Sequence, residues 1–148
     1  MVTDTDVLII GTGFSGLGMS IRLMQAGLTN FTVLEQADEV GGTWRDNHYP
    51  GVACDVPSHL YSFSFEQNPR WSRLFAPQRE ILEYLKHCAD KYGVRPHIQF
   101  GSEVVKAVFD ERAAQWQVTL KSGKIYRARV LVAGSGGLSR PSYPEIPG

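Results

Sequence analysis

The chain has 148 residues, 43% of them apolar, and its 15 lysines and arginines balance its 15 aspartates and glutamates. That length can bury the core of one domain, and the even charge excludes both the basic footprint of a nucleic-acid binder and an acidic tail. The longest apolar stretches, around 7–10 and 130–133, fall far short of the ~20 residues a membrane helix needs. Residues 1–6 lack the basic start of a signal peptide, so cytoplasmic placement is the default expectation. Cys54 and Cys88 form no Cys-x-x-Cys pair, which argues for two free thiols and against a disulfide reductase, and no metal site is expected.

Asp6-Val7-Leu8-Ile9-Ile10 is an apolar run of strand length, and Gly11-Thr12-Gly13-Phe14-Ser15-Gly16 follows at once. Leu17, Ile21 and Met24 then recur at helical spacing, with Gly27 placed to close the helix. Strand, tight glycine turn and helix together make a dinucleotide fingerprint. Gly11 permits the turn, Gly13 lets backbone approach a pyrophosphate, and Gly16 lets the helix pack against the strand. Phe31-Thr32-Val33-Leu34 reads as the second strand and runs into Glu35, at the distance where a carboxylate binds ribose hydroxyls. The charge of Glu35 would repel a 2′-phosphate, so this site is expected to hold FAD or NAD and not NADP.

Residues 41–76 show neither periodicity, carry six aromatics from Trp44 to Trp71 plus Phe75, and make a connection much longer than the ~4 to 6 residues usual between elements, which points to a ligand loop. Pro77 is placed to open a helix whose apolar positions Ile81, Leu85, Cys88 and Tyr92, flanked by Leu82 and Ala89, make one buried face, and Gly93 ends it. His97-Ile98-Gln99-Phe100 is a short third strand. Residues 103–109 and 115–121 read as two more, the second with Trp116, Val118 and Leu120 on one side; Ser122-Gly123 turns the chain into Ile125-Tyr126-Arg127. From Ala128 a continuously apolar run predicts a buried parallel strand that meets Gly134-Ser135-Gly136-Gly137, either a second backbone approach to a cofactor or a plain strand-end turn.

This order predicts an α/β fold: a Rossmann-like, doubly wound parallel sheet with a small antiparallel β-meander insertion, incomplete in that a further strand should pair at an open edge. That edge predicts self-association or poor solubility. Residues 1–138 are expected to be an FAD-binding domain, and the proline-punctuated residues 139–148 a linker toward an NADP-binding domain.

The stretch 41–55 carries the most specific pattern, Gly-Gly-x-Trp, four residues, an aromatic, Pro-Gly, three residues and Asp, filled by Gly41, Gly42, Trp44, Tyr49, Pro50, Gly51 and Asp55. In this pattern, in Ser58-His59-Leu60-Tyr61-Ser62-Phe63-Ser64-Phe65 and in its last eleven residues, the chain resembles the N-terminal FAD-binding part of Baeyer-Villiger monooxygenases, within the flavin-containing monooxygenase superfamily. Gly134-Ser135-Gly136 departs mildly from the family's Ala-Thr-Gly.

The resemblance implies FAD as cofactor, reduced by NADPH, and insertion of one oxygen atom of O2 beside the carbonyl of a small ketone. Gly11, Gly13, Phe14, Ser15, Gly16, Glu35 and Gln36 would hold the cofactor at the fingerprint end. Gly42, Thr43, Trp44, Asp55 and Tyr61 would lie toward the flavin, with Val104 at the adenine. Trp44 is equally suited to anchoring a core. Asp55, also suited to forming a turn, is the single catalytic candidate, implied to hold an arginine supplied by a later part of the polypeptide. NADPH would be bound mainly by a part not present here, either the rest of the same polypeptide or a separately encoded second half. No second G-x-G-x-x-G with an NADP-selecting arginine is present, nor is the family's aromatic-x-Gly-x-x-x-His-x-x-x-Trp-Pro run, so the 148 residues alone are expected not to oxidise NADPH. The alternatives are a nitrogen- or sulfur-oxygenating flavin monooxygenase, whose loop lacks the extended pattern, and a non-catalytic dinucleotide-binding fragment.

Overall fold

Six strands form a single sheet in this computed structural model, which describes residues 2–137, 139 and 142–147. They are β1 (Val2–Ile10), β2 (Phe31–Leu34), β3 (Ile98–Gln99), β4 (Val104–Asp110), β5 (Gln115–Leu120) and β6 (Ile125–Ala133), in the spatial order β3-β2-β1-β6-β5-β4. β3, β2, β1 and β6 run parallel, whereas β6, β5 and β4 form the antiparallel meander. The helices are α1 (Phe14–Gln25), α2 (Thr43–Asp46) and α3 (Gln78–Lys91).

Each face of the parallel strands is covered by a different layer. Ile9 of β1, Val33 of β2 and Ile98 of β3 pack with Leu17 and Ile21 of α1 and with Ile81, Leu85, Cys88 and Ala89 of α3. The intervening residues Leu8 and Leu34 point the other way, into a second cluster with Val118 and Leu120 of β5 and Tyr126 and Ala128 of β6. The period of two along β1 and β2 therefore separates the helical layer from the meander layer. Burying a leucine or isoleucine of this kind stabilises the fold by about 1.5 to 3 kcal/mol.

The Ala128 boundary read from the sequence is absent. Residues 125–133 form one strand, because 125–128 pair with β5 on one side and with β1 on the other, while 129–133 pair with β1 alone. The expected full burial of this run also fails: Val130 is 49% exposed. Among the described residues no strand pairs with the outer edge of β6 beyond Ala128, which is the open edge the fold class implies.

Smaller differences have local causes. β3 is two residues long because Arg95–His97 turn as a 3-10 helix, which stacks the His97 ring on Phe31 at 4.2 Å. The connection 41–76 contains the single-turn helix α2 and a 3-10 turn at Ser58–Leu60. Tyr84 joins the buried face of α3 although apolar spacing did not select it, since its hydroxyl donates to the Glu66 carbonyl at 2.6 Å and accepts from the Phe63 amide at 2.8 Å. Of the expected linker and the residue before it, Leu138, Arg140, Pro141 and Gly148 lie outside the described residues.

Candidate functional site

At the carboxyl ends of β1, β2 and β6 the sheet opens into a cleft of about 570 Å3. It lies where parallel strands diverge to their connections, the usual ligand position in an open α/β sheet. Two close chain crossings shape its floor. A Cβ on Gly16 would sit 1.9 Å from the Gly11 carbonyl oxygen, and one on Gly134 would sit 2.8 Å from that of Ile10. Gly16 therefore acts beneath the cleft by letting α1 touch the turn. It is buried and does not line the cavity itself.

Gly13 is the N-cap of α1, with no side chain capping it, and the amides of the first turn lack helical partners. Gly11, Gly13, Phe14 and Ser15 all line the cleft, so these amides and the positive end of the helix face it, an arrangement that suits a pyrophosphate. Opposite them, Gly42 adopts φ +52°, and a Cβ there would lie 3.0 Å from Gly13 Cα. The glycine pair lets the long loop close directly onto the fingerprint turn.

Glu35 projects from the end of β2 into the cleft and is 3% exposed. Its Oε2 accepts from the Thr12 backbone amide at 3.0 Å and from Thr12 Oγ1 at 2.6 Å. Its Oε1 accepts from the Ala37 amide at 2.9 Å and lies 3.2 Å from Arg45 Nη1. Arg45 in turn donates from Nε and Nη2 to the Asp46 carboxylate, at 2.8 and 3.1 Å, and from Nη1 to the Glu39 carbonyl at 2.7 Å. Burial opposes the Arg45 charge, but the Asp46 hydrogen bonds and the nearby Glu35 outweigh it, and the guanidinium is held above its ordinary value.

The loop brings aromatic rings to the same opening. Trp44 Nε1 donates to the Tyr61 hydroxyl at 3.1 Å, and the two rings meet edge-on at 5.5 Å. Tyr61 also packs edge-on to Phe14 at 4.9 Å. Trp44 is thus both core and lining: it packs against the helical-layer cluster, it faces the cleft, and its carbonyl is held by the Gln78 side chain at the start of α3.

Of the positions selected from sequence, Gly11, Gly13, Phe14, Ser15, Glu35, Gln36, Gly42, Thr43, Trp44, Tyr61 and Val104 come together around the cleft. Asp55 does not. It is exposed and outside the lining, because residue 53 bridges residue 77 in extended backbone and the neighbouring Cys54 takes the inward position at 3% exposure. Sequence reasoning missed Arg45, Asp46 and Ser102, and named Thr12 only as a spacer. Only Thr12 left a signal, since the residue between the first two glycines must pass next to the end of β2. Gly134, Ser135 and Gly136 line the cleft, which favours the close-approach reading of that turn. Among the described residues no group of three or more His, Cys, Asp or Glu side chains is arranged to hold a metal, and no helix is long and apolar enough to cross a membrane.

The model of the NAD(P)-binding Rossmann-like domain matches residues 9–77, the segment that builds this cleft from β1 to the start of α3. A Baeyer-Villiger monooxygenase of Streptomyces coelicolor is 53% identical over 142 residues, and one of Pseudomonas aeruginosa is 52% identical, each match covering 96% of this chain. Over this segment the chain is similar in sequence and fold to Baeyer-Villiger monooxygenases. Among solved structures, cyclohexanone monooxygenase from Rhodococcus sp. Phi1 bound to NADP+ superposes with a TM-score of 0.92 at 38% identity over 100% of this chain. An oxidised steroid monooxygenase bound to NADP gives 0.90 at 41% identity over 99% of it. The chain spans 27% of the length of those two Baeyer-Villiger relatives and 29% of each of those two structures.

Proposed function

We propose that this chain is the FAD-binding part of an NADPH-dependent flavin monooxygenase that inserts one oxygen atom of O2 next to a ketone carbonyl, giving an ester or lactone. The observation that carries the reading is the convergence on one cleft of the α1 N-terminus, the Glu35 carboxylate and the Gly42-Thr43-Trp44 turn, in a chain 53% identical to a Baeyer-Villiger monooxygenase. The residues suit FAD: amides at Gly13, Phe14 and Ser15 for a pyrophosphate, a buried carboxylate for a ribose, and an aromatic wall at Trp44 and Tyr61 for a ring system. Val104, which lines the same cleft, is assigned backbone contact to the adenine.

Bound FAD would supply the redox chemistry and the activation of dioxygen. This chain's own residues bind and orient. The first-turn amides of α1 fix the phosphates, Glu35 fixes the ribose, and the Trp44–Tyr61 hydrogen bond stiffens a wall that keeps water from the reacting face. Glu35 and the commitment of Arg45 to Asp46 leave little for a 2′-phosphate to bind, so FAD fits this cleft better than NADPH. NADPH is assigned to a domain outside residues 1–138, with 139–148 as the connection toward it. Asp55, exposed here, is assigned the role of holding an arginine from outside this segment, whose charge would stabilise the oxyanion that develops on the ketone. We place the protein in the cytoplasm.

The test is product analysis with the longer polypeptide that carries this segment, given NADPH, a cyclic ketone and a thioether. Lactone carrying one atom of labelled O2 supports the reading; sulfoxide with no lactone overturns it in favour of heteroatom oxygenation.

A further inference from the structure

A carboxylate offers about four lone-pair positions; three of those of Glu35 accept hydrogen bonds from this chain, and Arg45 Nη1 stands beside the fourth as an ion-pair partner. Two of the donors, the Thr12 and Ala37 amides, are backbone, and a third is the hydroxyl of the short, buried Thr12 side chain. The fourth group, Arg45 Nη1 at 3.2 Å, is at the end of a long side chain. It is also the longest of the four, and the same nitrogen has a second acceptor in the Glu39 carbonyl at 2.7 Å. The rest of the guanidinium is clamped on its far side by Asp46. A ribose hydroxyl that reaches Glu35 would therefore use the Oε1 lone pair beside Arg45 Nη1, with Arg45 itself held in place by its hydrogen bonds to the Glu39 carbonyl and the Asp46 carboxylate.

We infer that Arg45 is the positioning residue of the ribose-recognising carboxylate, which it couples to the glycine-tryptophan loop. This rests on the dinucleotide reading of the cleft. Arg45 gives Glu35, whose side chain is 4% exposed, its counter-charge, and a buried carboxylate with that partner removed is strongly disfavoured. Because Arg45 lies in α2, next to Trp44, the adenosine end and the flavin end of the cleft are tied through one side chain. The Arg45–Glu35 pair acts on the ribose without Arg45 needing to touch the ligand.

The test is fluorescence titration of the 148-residue chain with FAD and with FAD lacking the adenosine 2′-hydroxyl. The parent is expected to prefer FAD by roughly tenfold or more, the size of one hydrogen bond to a charged group. Arg45→Met should collapse that preference toward one while changing affinity for the deoxy analogue less than about threefold. Arg45→Lys should retain part of the preference, and Glu35→Gln added to Arg45→Met should cost nothing more. A preference unchanged in Arg45→Met, or equal losses for both ligands, would reduce Arg45 to a loop-shaping role and overturn the inference while leaving FAD binding intact. Failure of the parent to bind either ligand would instead overturn the dinucleotide reading, and the inference with it. Should Arg45→Met lose its circular-dichroism melting transition, the lysine variant decides: a preference equal to the parent's overturns the coupling, and a reduced one supports it.

Discussion

Gly16 and Gly27 are both glycines of the first βα unit, yet the structure assigns them different sensitivities. An alanine at Gly16 would put its Cβ 1.9 Å from a backbone oxygen, so α1 must move off the strand; at Gly27 nothing lies within 4 Å and the cost is that of φ +75° alone. Gly16→Ala is expected to destabilise by at least about 3 kcal/mol and Gly27→Ala by about 1 kcal/mol. Thermal melts showing equal losses would contradict this packing of α1. The two thiols make a second residue-scale prediction. Burial pushes Cys88 up to about 11, and Cys54 is 3% exposed, so neither should react with an aromatic disulfide reagent at pH 8 until the chain unfolds. Rapid labelling of the native chain would sink that claim. At this scale the glycines and Glu35 were legible because backbone geometry leaves few choices at a phosphate turn and at a strand end. Arg45 was not, since nothing in a sequence says that a loop residue folds back onto a carboxylate ten positions earlier.

The elements were largely legible where one face is buried. Leu17 and Ile21 on α1, Ile81 and Leu85 on α3 and Val118 and Leu120 on β5 lie in the core as their spacing requires. The continuity of β6 was hidden, because an apolar run does not reveal that residues 125–128 have partners on both edges and 129–133 on one. The long loop was legible as a ligand loop but not in its fastening, which depends on polar groups. Glu66, near the end of that connection, accepts from Lys91 Nζ at 2.7 Å and Tyr92 Oη at 2.8 Å at the end of α3. The Lys91 hydrogen bond holds the Glu66 carboxyl below its ordinary value of 4.5, with Tyr92 and His87 adding to it and burial opposing. A carboxyl lowered in the folded state contributes stability that is present above its unfolded value and is lost as pH falls through the folded one. The loop fastening should therefore weaken below about pH 4.5, and Glu66→Gln should lower stability at pH 7 by about 1 kcal/mol while flattening the acid limb of a melting-temperature profile. An acid limb identical in parent and variant would show that Glu66 does not fasten the loop.

For the whole molecule, the decisive feature is unfinished pairing. Among the described residues β6 has no neighbouring strand on its outer edge beyond Ala128, and Val130 on it and Val105, Val108 and Phe109 on β4 are exposed apolar side chains. Open edges with apolar side chains seek partners, so the isolated chain is expected to elute from gel filtration above the size of its 16.5 kDa monomer, increasingly so at higher concentration. A concentration-independent monomer would contradict this. The fold class could be read from the sequence because strand, glycine turn and helix recur in a fixed order. Which layer covers each face could not, because covering Leu8 and Leu34 depends on how the meander curves over them. The residues that line the cleft run from 10 to 139, and its floor, its helix N-terminus and its carboxylate lie within this chain.

That claim is tested most directly by the visible spectrum of the purified 148-residue chain after mixing with excess FAD and gel filtration. A retained, near-stoichiometric flavin band near 450 nm is the predicted result; colourless protein would contradict a cleft that is complete enough in this chain to hold its cofactor.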